Sequence, residues 1–361
     1  MGNQPHSIIE DILNAARWTP SGDNMQTWRF ELIDSRHFVV HGYDTRDHCV
    51  YDLQGHASQM ALGALQESIA IAASHYGYRA QFQLRADSPE TKPTIDVTIA
   101  EDVNISPDPL FAFLPIRSVQ RRPLKTTPLS AQQKAALEQA VGGAYSVRWV
   151  EGLGNRWQAA KLMFMNGKLR LTLPEAFRTH STVIEWNAQF SDDKIPDQAV
   201  GLDPMATRLM QWAMHSWQRV AFLNTYLSGT VLPGLELDVL PSLGCAAHFA
   251  LVANSQAQSI QDYFNAGRAL QRFWLTVTQL NLQLQPEMTP LIFSGYIRDN
   301  VTFTQQAPLV SYATKITQRF EQVFGKDETT RAVFVGRVGS GDPASARSLR
   351  LSVAQLLTAK A

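Results

Sequence analysis

Segments of helical period alternate with segments of strand period along the 361 residues. None approaches the run of about 18 apolar residues that reads as a membrane span. A chain patterned this way is confined to folds in which short helices pack on sheets. Ser7 and Glu10 form a capping-box pattern, Ile8, Ile9, Ile12, Leu13 and Ala16 recur at helical spacing, and Pro20 stops the run. The polar loop Pro20-Ser21-Gly22-Asp23-Asn24 follows. Residues 27–33 and 37–43 read as strands, 60–74 as a buried small-residue helix ended at Gly77, and 79–84 and 94–100 as strands.

Residues 101–110 are polar and proline-containing, and a new unit is expected after them. Ser130 with Gln133 caps a helix that Gly142 and Gly143 close. Residues 145–150, 248–253 and 332–338 read as strands, and 157–171, 258–282 and 352–359 as helices. Residues 174–241, with Trp186, Trp212 and Trp217, read as irregular. An α+β protein is expected. Ala64-Leu65-Gln66 recurs as Ala269-Leu270-Gln271, an echo that speaks for duplication only beside other evidence.

Composition narrows the function classes. At 45% hydrophobic and 18% charged, the chain can bury a large core, as one large domain or two ordinary ones. Its 32 basic and 32 acidic residues cancel, which argues against a nucleic-acid or membrane partner recruited by bulk charge. Cys49 and Cys245 are too few for a disulfide framework or a thiolate cage. The first residues lack the basic and apolar regions of a signal peptide, so a soluble cytoplasmic protein is expected. No metal site is expected: His37 and His41 lie in a strand-like run, and Asp44, Asp47 and Asp52 read as a solvated loop. There is no G-x-S-x-G or Walker loop, and the glycine-rich run 336–341 leads into Asp342-Pro343 and not into a helix, so a dinucleotide fingerprint fails.

The basic residues divide into 23 arginines and nine lysines, which directs attention to clamps for phosphate or carboxylate. Three polar constellations stand out: the loop from Pro20 to Trp28, the segment Arg117-Ser118-Val119-Gln120-Arg121-Arg122, and Arg347-Ser348-Leu349-Arg350. Each alone also fits a solvated loop. Together they suit one anionic aromatic ligand, with arginines for a phosphate and amides for a heterocycle edge.

These segments carry a resemblance. ILNAARWTPSGDNMQTWRFEL resembles the A-P-S-x-x-N-x-Q-P-W-x-F segment of the FMN-dependent nitroreductase superfamily. IRSVQRRPL resembles its opening R-x-S-x-R segment, VFVGRVGSGDPASARSLRL its closing strand and basic pair, and AGRALQRFWLTVTQLNLQLQP its core helix and flavin-facing loop. The pattern is similar to tandem members, with two family-like units in one chain. The resemblance implies a nitroreductase-like α+β fold with units at 1–110 and 111–361, an irregular insertion at about 174–241, and an internal pseudo-dimer, the chain itself being a monomer. In that family one subunit supplies the arginine segments and its partner the P-S-x-x-N loop; here each occurs in only one unit, so the two would complete a single site.

By position, the resemblance implies that Arg117, Arg121, Arg347 and Arg350 hold the FMN phosphate with Ser118, and that Pro20, Ser21, Gly22, Asn24 and Gln26 line the flavin. It places Gln285 and Pro286 at the ring edge that takes up hydride. The implied activity is hydride transfer from NADH or NADPH to a small nitro or quinone acceptor, with no side chain required as acid or nucleophile. The alternatives are a flavin-sequestering protein of little turnover and a flavin module of a cofactor-biosynthesis pathway. Thr27 replaces the usual proline, 282–286 lacks the family's glycines, and 174–241 would be either a lid or ordinary packing.

Overall fold

The computed structural model describes residues 7–358. Helix α1 (Ile8–Ala16) starts as its cap dictates: the Glu10 amide donates to Ser7 Oγ at 3.2 Å and the Ser7 amide donates to the Glu10 carboxylate at 2.9 Å. Strands β1 (Trp28–Leu32) and β2 (His37–Gly42), helix α2 (His56–His75), and strands β3 (Tyr78–Leu84) and β4 (Thr94–Glu101) follow. The sheet is antiparallel, ordered β1-β2-β4-β3. Alternation of buried and exposed residues in β4 turns Ile95, Val97 and Ile99 onto a core shared with Phe30, Phe38 and Leu65.

The second half begins with α3 (Ala131–Ala140), capped by Ser130 and Gln133, and β5 (Tyr145–Glu151). Residues 153–243 then form α4 (Leu153–Thr172), α5 (Pro174–Val183), the two-residue strands β6 (Ile184–Glu185), β7 (Phe190–Ser191) and β8 (Ile195–Pro196), α6 (Pro204–Ala213), α7 (Trp217–Tyr226), α8 (Val231–Gly234), a π turn (Leu235–Val239) and α9 (Leu240–Leu243). Next come β9 (Ala247–Ala253), α10 (Ile260–Gln279), β10 (Leu282–Pro286), α11 (Thr289–Arg298), α12 (Ala307–Phe324), α13 (Lys326–Arg331), β11 (Ala332–Ser340), β12 (Arg347–Ser348) and α14 (Val353–Leu356). With the helices after β5 and β10 set aside, this half repeats the first: helix, two strands, long helix, two strands. Its antiparallel order, β5-β9-β11-β10, is the order of the first sheet position for position.

The halves meet along α2 and α10. A Cβ on Gly63 would lie 2.0 Å from the Phe264 carbonyl oxygen, and one on Gly267 would lie 2.0 Å from that of Met60, so only glycine lets the two backbones touch. Gln271 Nε2 donates to Ser68 Oγ at 2.9 Å, and Arg268 and Arg272 pair with Glu67 at 3.0 and 2.9 Å. The echoed tripeptides sit on these two facing helices. The chain end returns to the first half: Leu357 bridges Phe30, the Thr358 amide donates to the Phe30 carbonyl at 2.8 Å, and Leu356 is buried in that half's core.

Several expectations need correction. Residues 174–241 are largely helical: Pro174 opens α5, Asp203 caps α6 at Pro204, and Ser216 caps α7 at Trp217. Helices α11 to α13 had no counterpart in the sequence reading. The expected flavin-facing loop at 282–286 is strand β10, paired with β11. Asp52 belongs to no solvated loop: it is buried and accepts from the Ala57 amide at 2.8 Å and Ser58 Oγ at 2.6 Å, capping α2 where Gly55 adopts a positive φ of 77°. The helix expected at 352–359 is the single turn α14, and residue 359 lies outside the described residues.

Candidate functional site

The polar loop after α1 is held in a costly conformation. Asp23, Asn24 and Gln26 have φ of 49°, 61° and 47°, a left-handed region that costs non-glycine residues about 1 kcal/mol or more each. Ser21 Oγ accepts from the Gln26 amide at 3.0 Å, and the Met25 amide closes onto the Gly22 carbonyl at 2.9 Å. Gln26 is fully buried and acts as a staple: Nε2 donates to the Asp192 carbonyl at 2.8 Å and the Asn24 carbonyl at 3.2 Å, and Oε1 accepts from the Leu351 amide at 3.0 Å. Asn24 Nδ2 donates to the carbonyls of Asp192 and Lys194, both at 3.2 Å, while its buried Oδ1 has no partner. Residues 189–194 therefore lie over the loop, pinned by β7 on β12 and by Ser348 Oγ, which donates to the Lys194 carbonyl at 2.8 Å. Gly22 is exposed with open space about it.

Beside this loop four arginines converge without a carboxylate partner. Arg117 is buried, donates to the Trp18 carbonyl at 3.1 Å, stacks over Trp274 at 4.5 Å, and leaves Nε with no partner. Arg350 is buried and donates to the Thr19 carbonyl at 2.8 Å and the Leu349 carbonyl at 2.5 Å. Arg347 donates to the Pro115 carbonyl at 2.7 Å, and it and Arg17 stack on Trp18 at 5.1 and 4.6 Å. Burial, then Arg350 and Arg347, push the pKa of Arg117 well down. Burial, then Arg347 and Arg17, push Arg350 down to about 9. None of the four forms an ion pair among the described residues. Burial also lowers the pKa of Arg347, and it lowers that of Arg17, where Asp192 opposes the fall; buried guanidinium groups of this kind gain from an anion.

Arg121, expected with this group, stands apart: it donates to the Ala199 carbonyl at 3.0 Å, and the charges acting on it are Asp23 and Arg170. Burial raises the Asp23 pKa and Arg121 opposes the rise. The Ser118 hydroxyl makes no hydrogen bond among the described residues. Its neighbours Val119 and Gln120 run beside β10, with the Gln120 amide donating to the Leu284 carbonyl at 3.0 Å.

Beside β10, in register with Gln285, lies a buried charge. Arg337, fully buried on β11, donates to Gln285 Oε1 at 2.7 Å, to the Arg121 and Arg122 carbonyls at 2.8 and 2.9 Å, and to the Gln120 and Gly244 carbonyls at 3.3 Å. It ties the arginine-bearing segment to Gln285, while Pro286 faces Gly336 in the sheet. His248 lies nearby, with Nδ1 2.7 Å from the buried Glu287 carboxylate and Nε2 2.9 Å from the Ser242 carbonyl. Burial opposes its charge, yet Glu287 and Cys245 hold its pKa well above the usual range. Arg17, Trp18 and Arg337 escaped the sequence reading. Arg17 and Trp18 lie within the quoted segment ILNAARWTPSGDNMQTWRFEL but match none of its motif positions, and Arg337 sits in a strand whose other buried positions are apolar or glycine.

The structure thus brings Arg117, Arg347 and Arg350 to the edge of the loop carrying Pro20 to Gln26. It gives Gly22 to solvent and Gln26 to internal bonds. No family model and no curated protein matches the chain. Similar solved structures are nitroreductase-like. One is a nitroreductase-like family protein from Bacillus cereus, at 11% identity over 70% of this chain and 96% of that one, TM-score 0.35. Another is a nitroreductase with bound FMN from Bacteroides fragilis, at 11% identity over 65% and 89%, TM-score 0.31. A third is the FMN-dependent nitroreductase NfnB from Mycobacterium smegmatis in complex with NADPH, at 16% identity over 69% and 96%, TM-score 0.36. No described helix is long and apolar enough to cross a membrane.

Proposed function

We propose that the chain is an FMN-dependent oxidoreductase of nitroreductase type, built from units at 1–110 and 111–361 as an internal pseudo-dimer around one flavin site. The observation that carries this reading is the group Arg117, Arg347 and Arg350, with no ion pair among the described residues and closed on the strained loop of the other half, where Arg17 joins them over Trp18. The orphaned Nε of buried Arg117 fits a phosphate oxygen. The orphaned Oδ1 of Asn24 fits a donor on a heterocycle edge. The repeated strand order supports the two-unit reading.

FMN, when bound, supplies hydride uptake and release. Arg117, Arg347 and Arg350 would hold its phosphate, with Ser118 adding a hydroxyl. Asn24, with Pro20 and Ser21, would hold the ring from the other half. Arg121, expected at the phosphate, is left out of that group on this reading, because it donates to the Ala199 carbonyl and the nearest carboxylate acting on it is Asp23 of the loop. Gln285 is oriented by Arg337. Reduced nicotinamide is the donor on this reading, and a nitro or quinone compound the acceptor.

Residues 189–194, hydrogen-bonded to both carboxamides of the loop, favour a second reading, a flavin-sequestering protein with little turnover. One experiment separates them. The purified protein, reconstituted with FMN, should show a perturbed flavin spectrum, and Arg117→Met should weaken retention at least tenfold. Steady oxidation of NADH or NADPH with a quinone supports the enzyme, whereas flavin retained without turnover supports sequestration. An unchanged FMN spectrum refutes both.

A further inference from the structure

The hairpin of α6 and α7 is fixed on its inner side and unpartnered on its outer side. Asn224 Nδ2 donates to the Leu171 carbonyl at 2.7 Å and Trp217 packs on Phe177 at 5.7 Å, which seats the hairpin against α4 and α5. Yet α7 buries no residue, and α6 buries only Ala213. Met205, Leu209 and Trp212 recur along one stripe of α6 and are 81%, 47% and 44% exposed. Phe222, Tyr226 and Leu227 on and after α7 are 51%, 71% and 64% exposed, with the Phe222 and Tyr226 rings 5.2 Å apart. Arg219 of α7 lies over the Trp212 ring at 4.8 Å and joins the two rows. At about 200 Å² for a large side chain, these six leave roughly 700 Å² of mostly apolar surface in the open. A stable interface buries about 800 Å² on each partner, so the hairpin alone nearly suffices for one.

The charges around this surface form two unanswered pairs. From residue 203 to residue 240 the charged residues are Asp203, Arg208, Arg219, Glu236 and Asp238. Asp238 is buried and paired with Arg170 at 2.9 Å. The other four are in no ion pair among the described residues. Asp203 is exposed at the start of α6, and its amide donates to the Glu236 carboxylate at 3.4 Å, which sets two acidic residues side by side. Arg208 is exposed, and Arg219 donates to the Trp212 carbonyl at 2.9 Å. A partner of one sign would answer one pair and repel the other. A second copy of this chain, turned by a two-fold axis, answers both. Asp203 caps the helix that carries Arg208, so two copies of α6 crossing antiparallel about the midpoint between them set Asp203 and Glu236 of each against Arg208 of the other.

We propose that the α6–α7 hairpin is the interface of a symmetric dimer of this chain, its apolar rows packed on their copies and its acids facing arginines across the axis. This dimer adds to the internal pseudo-dimer and departs from the monomer that the resemblance implies. It is independent of the flavin reading, since no residue proposed to hold FMN takes part.

The test is analytical ultracentrifugation of the full-length protein. It should sediment as a concentration-dependent dimer of twice the 40.3 kDa chain mass. Tyr226→Asp should leave a monomer with an unchanged circular dichroism spectrum, because the side chain is exposed. Arg208→Glu and Glu236→Arg should each weaken the dimer about tenfold or more, since each sets like charges across the axis, and salt should weaken the parent. The double variant carrying both changes should recover most of that loss, which damage to the fold would not allow. Three results overturn the proposal: a monomer at every concentration up to about 100 μM, whether or not it pellets with lipid vesicles; a dimer that Tyr226→Asp leaves intact; or a double variant no better than either single one.

Discussion

Arg337→Met removes five donor contacts from the interior while keeping a long, unbranched side chain in place. Three of these are short, to Gln285 Oε1 at 2.7 Å and to the Arg121 and Arg122 carbonyls at 2.8 and 2.9 Å; the two at 3.3 Å contribute less. Charged hydrogen bonds are worth about 1.5–3 kcal/mol each, so the short contacts bound the gross loss at about 5–9 kcal/mol. Against this stands relief of the burial that depresses the Arg337 pKa, which Glu287 opposes. The variant leaves neutral acceptors unpaired, each costing about 1–3 kcal/mol, so a net destabilisation of about 3 kcal/mol is expected. Arg337→Lys should lose less, because an ammonium offers three donors. Urea unfolding followed by fluorescence of the eight tryptophans measures both. FMN titration should weaken in the same order, Met more than Lys, since Arg337 anchors the segment bearing Arg117 and Arg121. A Met variant within about 1 kcal/mol of the parent would refute the network's importance. A Lys variant no better than Met would show that shape, and not donation, holds the segment.

Two further outcomes follow from the fold. Gly267→Ala places a methyl 2.0 Å from the Met60 carbonyl oxygen and should cost about 1–3 kcal/mol or more by forcing α2 and α10 apart, whereas Gly143→Ala, with open space around it, should change stability by less than about 0.5 kcal/mol in the same unfolding assay. Burial, then Arg170, push the His180 pKa down to about 3, so the folded protein keeps this ring neutral while the unfolded chain takes up a proton below about 6.5. Stability should fall as pH drops from about 6.5 towards 3. His180→Phe should flatten that fall, while losing about 1 kcal/mol at neutral pH with the 2.9 Å Tyr51 hydrogen bond; an equally steep acid profile in the variant would refute the assignment.

Features governed by near neighbours could be read directly. The caps at Ser7 and Ser130 depend on a residue three positions away, the strands at 28–32 and 94–101 on two-residue alternation, and the strand at 37–42 on an apolar run. The loop from Pro20 to Gln26 was evident as polar, but its three left-handed residues were not: the bonds that hold them reach Asp192, Lys194 and Leu351, more than 160 positions away. The helices of 204–226 were missed for a related reason. Their apolar residues face solvent, so their pattern records no core.

The sequence by itself determined the α+β alternation, the capped helix starts and the presence of three polar segments, because each is set by contacts within a few residues. Tertiary structure decided which of those segments meet. It gathered Arg117, Arg347 and Arg350, turned Arg121 onto the Ala199 carbonyl, buried Arg337 beside β10 and made Asp52 a cap. Each of these depends on long-range approach and on desolvation, which only the folded chain creates. It also left Arg117 and Arg350 buried close enough for each to feel neighbouring arginines, with no ion pair among the described residues.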